Sequence, residues 1–393
     1  MKFHLRHRQF QLIHFFGAIF TLVGAIIGAG ILGIPSVIAR SGYITGIIVI
    51  VLLAVFFIYV YLNLGEAILR TKGKHQLPGL AERYLGKRGK FLIMITMTLG
   101  AYGALIAYMI ASGKAIHTLL SYFFTLPGVL NYPLTYSIVF FVLMSALILK
   151  GLNVIEDSEL LITGFLLLSV ILVFFFSFFE IKLTNLTGFD LGKLLIPYGT
   201  IFFAYGGFYS VPEAAIILDK KKKLLPLALV LSVIIPMVAY AMFSTSIVGI
   251  MGSDTQELAT QGLENVLGPG MLIVGSLFLL FSVTTSFLAI GFAQEEMFRM
   301  DYKFSKIKSW SIAGIVPFIL FLFLSDSVGF VRVLSISGAL FGGLLAAISI
   351  IVSYKAKKEG KRKPEFSIRM GLLMTIFLLA ILLVGVISTL FFV

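Results

Sequence analysis

Apolar runs of about twenty residues recur along the whole chain. A helix rises about 1.5 Å per residue, so a run of that length matches the roughly 30 Å hydrocarbon core of a bilayer. Eleven such runs can be read, at about 12–39, 43–69, 90–122, 133–150, 158–180, 191–217, 226–250, 270–293, 310–325, 327–353 and 367–393. They are too long for barrel strands and lack two-residue alternation. The expectation is an all-α integral membrane protein with eleven transmembrane helices. Composition agrees: 59% of residues are hydrophobic, only 12% are charged, and the mean hydropathy is +1.05. A soluble domain carries about 25% charged residues, and this chain has too few polar groups to cover a soluble sphere. A cytosolic enzyme and a disordered chain are excluded. With no cysteine, so are a disulfide scaffold and thiolate chemistry. The first run is too long for a signal peptide and reads as a retained helix.

The formal charge of +13 has a simple origin. With the N-terminus inside, segments 1–11, 70–90, 150–157, 219–225, 294–309 and 354–369 fall on one face and hold 26 of the 31 Lys and Arg. The other face holds Arg40, Lys182 and Lys193, while Lys114 and Arg332 lie within spans. Basic residues accumulate on the cytoplasmic side of membrane proteins. The split therefore predicts integration in the cell membrane with a cytoplasmic N-terminus and an external C-terminus. It accounts for the basic charge without nucleic acid.

Two spans carry a glycine cluster followed by proline. The first reads Gly28-Ala29-Gly30-Ile31-Leu32-Gly33-Ile34-Pro35 and the sixth Tyr205-Gly206-Gly207-Phe208-Tyr209-Ser210-Val211-Pro212. In each, a glycine precedes the proline by five residues, and the offset from Gly30 to Gly207 is 177 residues. Glycine permits unwound backbone and proline favours a fresh helix start. Unwound backbone at membrane depth must line a cavity, and paired interrupted helices mark transporter binding sites. Five spans per unit turn the second copy upside down. The expected layout is a single domain over 1–393: a first repeat at 1–180, an inverted second repeat at 191–353 with helices one and six broken, and an additional helix at 367–393. No GxxxxGK[ST] phosphate loop occurs, which leaves ion-coupled or facilitated transport.

The run Gly24-Ala25-Ile26-Ile27-Gly28-Ala29-Gly30-Ile31-Leu32-Gly33-Ile34-Pro35 resembles the first-helix motif of the amino acid–polyamine–organocation superfamily. Phe202-Phe203-Ala204-Tyr205-Gly206-Gly207-Phe208 with Pro212-Glu213 and Leu225-Pro226 is similar to its sixth-helix motif. Eleven spans resemble the amino acid/auxin permease branch or the neighbouring aromatic amino acid permeases. The resemblance implies the leucine-transporter fold and amino acids as cargo. It implies that a substrate carboxylate meets the N–H groups of Ala29 and Gly30, at the positive start of a half-helix. It further implies that the ammonium meets the carbonyls of Ile26, Phe202 and Phe203, with Tyr205 near by, and that Phe208 covers the substrate from the outer side. Span three would form a wall, where Tyr108 offers an apolar face and a hydroxyl.

Ionisable groups in spans are costly and so are functional candidates. Glu213, after Pro212, pairs with an inner-loop lysine or carries a proton. Glu66 has Arg70 at i+4, the spacing of a helix-surface ion pair. Lys114 and Arg332 snorkel outward, or Arg332 closes an outer gate. Arg6 and Arg8 with Glu295 or Glu296 resemble an inner gate of related transporters. In the outer segment 252–269, Asp254 with Glu257 reads as a capping box, and the resemblance places a helical hairpin there. An ordinary acidic loop is its rival.

Span eight carries Phe281-Ser282-Val283-Thr284-Thr285-Ser286. Sodium prefers oxygen ligands. The hydroxyls of Thr284 and Thr285, the carbonyl of Phe281 and the carbonyls of Gly24 and Ile27 resemble the sodium site between helices one and eight of that fold. Proton coupling is the rival, with Glu213 as carrier. No organic cofactor and no metal beyond sodium is called for. The sequence therefore predicts a secondary active transporter, not an enzyme. It would import neutral L-amino acids across the bilayer by alternating access, driven by a cation gradient with Na+ favoured. The rivals are an amino-acid-sensing receptor of transporter shape, binding without flux, and a channel.

Overall fold

The computed structural model describes the backbone of residues 2–73, 75–151, 154–325 and 327–392, and their side chains outside 2–13, 154–162, 220, 265, 301 and 392. Helices dominate it. In chain order they are α1 (Lys2–Ile26), α2 (Ile34–Ser41), α3 (Tyr43–Arg70), α4 (Leu77–Phe123), α5 (Pro133–Lys150), α6 (Val154–Ser177), α7 (Tyr198–Ala204), α8 (Ser210–Ile217) and α9 (Leu225–Met251). There follow α10 (Glu264–Leu267), α11 (Gly270–Asp301), α12 (Lys306–Trp310), α13 (Val316–Leu324), α14 (Phe330–Ile336), α15 (Gly343–Glu359) and α16 (Leu372–Phe392). Among the described residues, nine helical segments are long and apolar enough to cross a bilayer, and α1 with α2 makes a tenth as a pair bent by 43°. The expected span 191–217 instead holds α7 and α8, of seven and eight residues, each too short to cross alone.

Proline marks the starts: Pro35, Pro78, Pro133, Pro226 and Pro317 all occupy the first turn of their helices, where the missing N–H is not needed. Wide turns at Ser311–Ile315 and Ser337–Gly342 join α12 to α13 and α14 to α15. Exposed positions along the spans are apolar, among them Leu52, Val55, Phe175, Phe323 and Leu373. That pattern suits lipid and not water. α3 and α1 pack on α9, α4 packs on α11 and α5, and the short α7 is enclosed by α14 and the 337–342 turn.

Two boundaries differ from the sequence reading. The loop expected at 70–90 is largely helical, because α4 begins at Leu77 and continues past a kink at Gly86, whose φ is +71°. Leu77, Leu80, Ala81 and Tyr84 bury one face of that first stretch. The capping box at Asp254 and Glu257 does not form. Asp254 ends a single 3-10 turn, Gly252–Asp254, and the only helix before α11 is the four-residue α10. Tertiary bonds outweigh the local cap: Glu257 reaches Arg40 at 3.6 Å, and the Ala259 N–H donates to the Leu32 carbonyl at 3.1 Å. The segment is thus drawn over the end of the first broken helix as a loop.

The pairing of Glu66 with Arg70 forms, at 2.7 Å, but is neither exposed nor simple. The carboxylate is fully buried and also receives Lys357 Nζ, the Ser367 hydroxyl at 2.8 Å and the Ile368 N–H at 2.8 Å. Arg362 adds bonds to the carbonyls of Leu69 and Arg70. The linker between α15 and α16 is thereby clamped beneath the end of α3. Removing one partner of a buried ionic set leaves the others desolvated without compensation, at a cost of about 3–5 kcal/mol. Glu66→Ala is expected to destabilise the protein by that order, read as a lower midpoint in detergent unfolding, whereas Lys358→Ala, at a cation that only covers the Tyr354 ring, leaves the midpoint nearly unchanged.

Candidate functional site

Backbone polar groups at a helix break must find partners when no water reaches them. The first break lies at Ile27 and Gly28. Gly28 is extended, with φ −113° and ψ −157°, and its N–H donates to the Ile26 carbonyl at 3.0 Å. The Ala29 N–H donates to the Ser286 hydroxyl of α11 at 3.1 Å. The second break spans 205–209. There the Gly206 N–H donates to the Phe203 carbonyl at 2.9 Å.

Two tyrosines complete the pairing. Tyr61 of α3 donates its hydroxyl to the Tyr205 carbonyl at 2.6 Å and accepts from the Gly207 N–H at 2.6 Å. Tyr240 of α9 points its hydroxyl at the carbonyls of Ile26 and Ala204, 2.8 Å from each. Tyr240 therefore ties the end of α1 to the end of α7. Tyr205 itself reaches the Ile50 carbonyl at 3.2 Å, and Tyr209 reaches that of Ala25 at 3.4 Å. Tyr108 of α4 lies within hydrogen-bonding reach of Ser286. Tyr61, Tyr205 and Tyr240 are fully buried and Tyr108 is 2% exposed, so these phenols need such partners.

The glycines let the two breaks touch. A Cβ on Gly30 would lie 3.1 Å from both Cα and Cβ of Ala204, and one on Gly207 would lie 2.7 Å from Cγ1 of Ile26. A Cβ on Gly28 would meet Ser286 Oγ at 2.8 Å. Side chains at these positions would hold the backbones apart.

Of the residues expected at a substrate site, Ile26, Ala29, Gly30, Tyr205 and Tyr108 come together here. Phe203 lies against Gly30, its Cδ1 3.3 Å from the position of a Cβ there. Beside the carbonyl of Ile26 stands that of Ala204, the Phe203 carbonyl accepts from the Gly206 N–H, and the Phe202 ring packs 4.8 Å from Phe57 between centroids. Phe208 follows the second break and packs on Phe57 at 5.5 Å and Tyr61 at 5.2 Å, 1% exposed.

In span eight the Thr285 hydroxyl donates back to the carbonyls of Phe281 and Ser282, at 3.1 and 3.0 Å. The Phe281 ring is 47% exposed. Thr284 is half-buried one position earlier, and Ser286 ties α11 to the first break near Gly24 and Ile27. Among the gating candidates, Glu213 is half-buried in the first turn of α8. Glu295 pairs with Arg299 at 3.3 Å, and Glu296 is exposed. Arg332 is exposed as well. The side chains of Arg6 and Arg8 lie outside the described residues. The sequence reading missed Tyr61, Tyr240 and Ser286 as partners of the breaks. The available signal was a phenol in the interior of an otherwise apolar span, which must find an acceptor.

The fold matches that of MhsT, solved in complex with L-phenylalanine, with a TM-score of 0.68 over 96% of this chain and 97% of that one at 14% identity. The class that the fold defines is thus a helical membrane protein of leucine-transporter-like fold. Across residues 12–390 the chain matches the model of the tryptophan/tyrosine permease family, and it belongs to that family. It is similar to the tyrosine-specific transport system 1 of Haemophilus influenzae, 24% identical over 88% of this chain and 90% of that protein. It also resembles glutamine transporter 2 of Aliivibrio fischeri, 22% identical over 87% and 90% of the respective chains. The family is thus one of permeases and not of enzymes, as expected. Of the two branches that the sequence resembles, the family is that of the aromatic amino acid permeases.

The contact of Gly30 with Ala204 gives a direct test. Gly30→Val forces side-chain volume between the two breaks, and overpacking of this kind costs about 1–3 kcal/mol. The expected outcome is amino acid uptake reduced at least about tenfold in a protein that still elutes as a single species. Unchanged uptake would show that the breaks need not touch.

Proposed function

We propose that the chain is a secondary active transporter that imports neutral L-amino acids by alternating access about the two breaks. The observation that carries this reading is the meeting of two interrupted helices, with acceptor carbonyls of Ile26 and Ala204 near the donor N–H of Ala29. A zwitterion carries the complementary pair of ends. Neutral cargo is supported by the side chains at the breaks, which are aromatic, aliphatic or hydroxyl and carry no charge. The names of the relatives, for tyrosine and for glutamine, agree, as does the phenylalanine in MhsT. The broken pairs α1–α2 and α7–α8 support a five-plus-five inverted repeat with α16 as an addition. The basic loops support a cytoplasmic N-terminus and an external C-terminus.

Sodium is the favoured coupling ion. A threonine hydroxyl that donates its proton to a backbone carbonyl keeps its own lone pairs for a cation, and Thr284 and Thr285 sit on the helix that Ser286 joins to the first break. Proton coupling is the second reading, favoured by Glu213 at the start of α8, half-buried where the broken helix resumes. The experiment is uptake of a panel of amino acids into proteoliposomes, with sodium and proton gradients imposed separately. Replacement of sodium by choline is expected to abolish accumulation, and Thr284→Ala and Thr285→Ala to raise the sodium concentration needed. Full accumulation on an inward proton gradient, lost in Glu213→Gln, would assign the coupling to protons. Saturable binding with no flux under either gradient would make the protein a sensor.

A further inference from the structure

We propose that Tyr240 and Ser286 are resident surrogates for the two charged ends of the amino acid, occupying its backbone partners whenever the carrier cycles without cargo. The proposal rests on the transporter reading above. The Tyr240 hydroxyl is a donor aimed at two carbonyls, Ile26 and Ala204, 2.8 Å from each. It has one hydrogen to offer, and the Ile26 carbonyl also accepts from the Gly28 N–H at 3.0 Å, so the Ala204 carbonyl is the one that depends on Tyr240, and both carbonyls keep lone pairs for a further donor. An ammonium, with three hydrogens and a charge, satisfies both at once and bonds each more strongly. The Ser286 hydroxyl mirrors this at the other end. It accepts from the Ala29 N–H at 3.1 Å, the group at the start of the fresh helical turn Ala29–Gly33. A carboxylate oxygen is the stronger acceptor for the same N–H.

The geometry is built for exchange of partners. Tyr240 is fully buried and its ring meets that of Tyr205 edge-on at 5.3 Å, so the phenol is held at the junction by apolar contacts and not by its hydrogen bonds alone. Gly28 leaves the space through which Ser286 approaches, since a Cβ there would stand 2.8 Å from its oxygen. With both surrogates engaged, α1 is tied to α7, and the Ala29–Gly33 turn to α11. An empty carrier can therefore close without leaving buried carbonyls and an N–H unpaired.

The test separates steps that involve the empty carrier from those that involve the loaded one. Net uptake requires the empty carrier to return, whereas exchange of internal for external substrate uses loaded forms only. The probes are radiolabelled L-tyrosine and L-glutamine in proteoliposomes. Tyr240→Phe keeps the ring and removes the O–H. It is expected to slow net uptake about tenfold, the effect of leaving a buried acceptor unpaired, and to slow exchange by a clearly smaller factor. Ser286→Ala is expected to give the same split, and it carries the test should Tyr240→Phe fail to fold. Equal loss of uptake and exchange would make the hydroxyl a direct substrate ligand or a structural tie and would overturn the proposal. Unchanged uptake and exchange would overturn it as well. Absence of both activities in the wild-type protein, with saturable binding or none, would instead remove the transporter reading itself.

Discussion

Everything at the centre of this molecule follows from one constraint: backbone cut loose from a helix inside a membrane has no water to turn to. Each orphaned group costs several kcal/mol in hydrocarbon, on the order of its full desolvation penalty. The chain meets that demand with side chains from neighbouring spans. Tyr61 bridges the Tyr205 carbonyl and the Gly207 N–H, Tyr240 faces the carbonyls of Ile26 and Ala204, and Ser286 takes the Ala29 N–H. The breaks are therefore held in place by α3, α9 and α11. α1 and α3 pack on α9, and α4 packs on α11, which makes the scaffold around the unwound segments.

The spans were legible because length and hydropathy act locally. The limits of α5, at Pro133 and Lys150, are those read from the sequence, since proline and the apolar run each end sharply there. The two glycine clusters were legible for the same reason: a positional pattern of Gly and Pro is a backbone instruction that needs no partner. What was not legible depends on partners far away in the chain. Tyr61 and Tyr240 meet groups 144 and 214 residues distant, and one sequence does not say which acceptor a buried phenol finds. The neighbours of the Phe208 ring were not legible either, because its sequence surroundings tell where the helix breaks and not which rings it meets. Between the helical hairpin and the loop left open at 252–269, distant partners decide: a local cap worth about 1 kcal/mol gives way to the contacts of Glu257 with Arg40 and of Ala259 with Leu32.

At the end of α3, charge serves structure. Glu66 sits at the end of α3 with four donors from two other segments and its own helix. A carboxylate so supplied has little capacity left for a ligand. The clamp also fixes the linker that leads into α16, through Tyr59 on the Arg369 carbonyl at 2.7 Å and Arg362 on that of Leu69 at 2.6 Å. The final helix thus docks against α15 and α7 with its entry point anchored.

The neutrality of the junction has a mechanistic consequence. A charged side chain at mid-membrane would be costly to leave unpaired, by roughly 2.5 kcal/mol or more on insertion scales, so each departure of a ligand would raise a barrier of that order. Neutral hydrogen bonds differ by only about 0.5–1.5 kcal/mol in net terms from the bonds that replace them. Carbonyls and N–H groups at the breaks can accordingly pass between a hydroxyl partner and a charged ligand end with small changes in free energy. A junction of several weak, exchangeable bonds resists rearrangement less than one buried ion pair, which favours a single arrangement strongly. Broken helices with hydroxyl partners are for that reason suited to a site that has to open toward each side in turn, and the fully paired ionic clamp at Glu66 is suited to the part of the molecule that stays still.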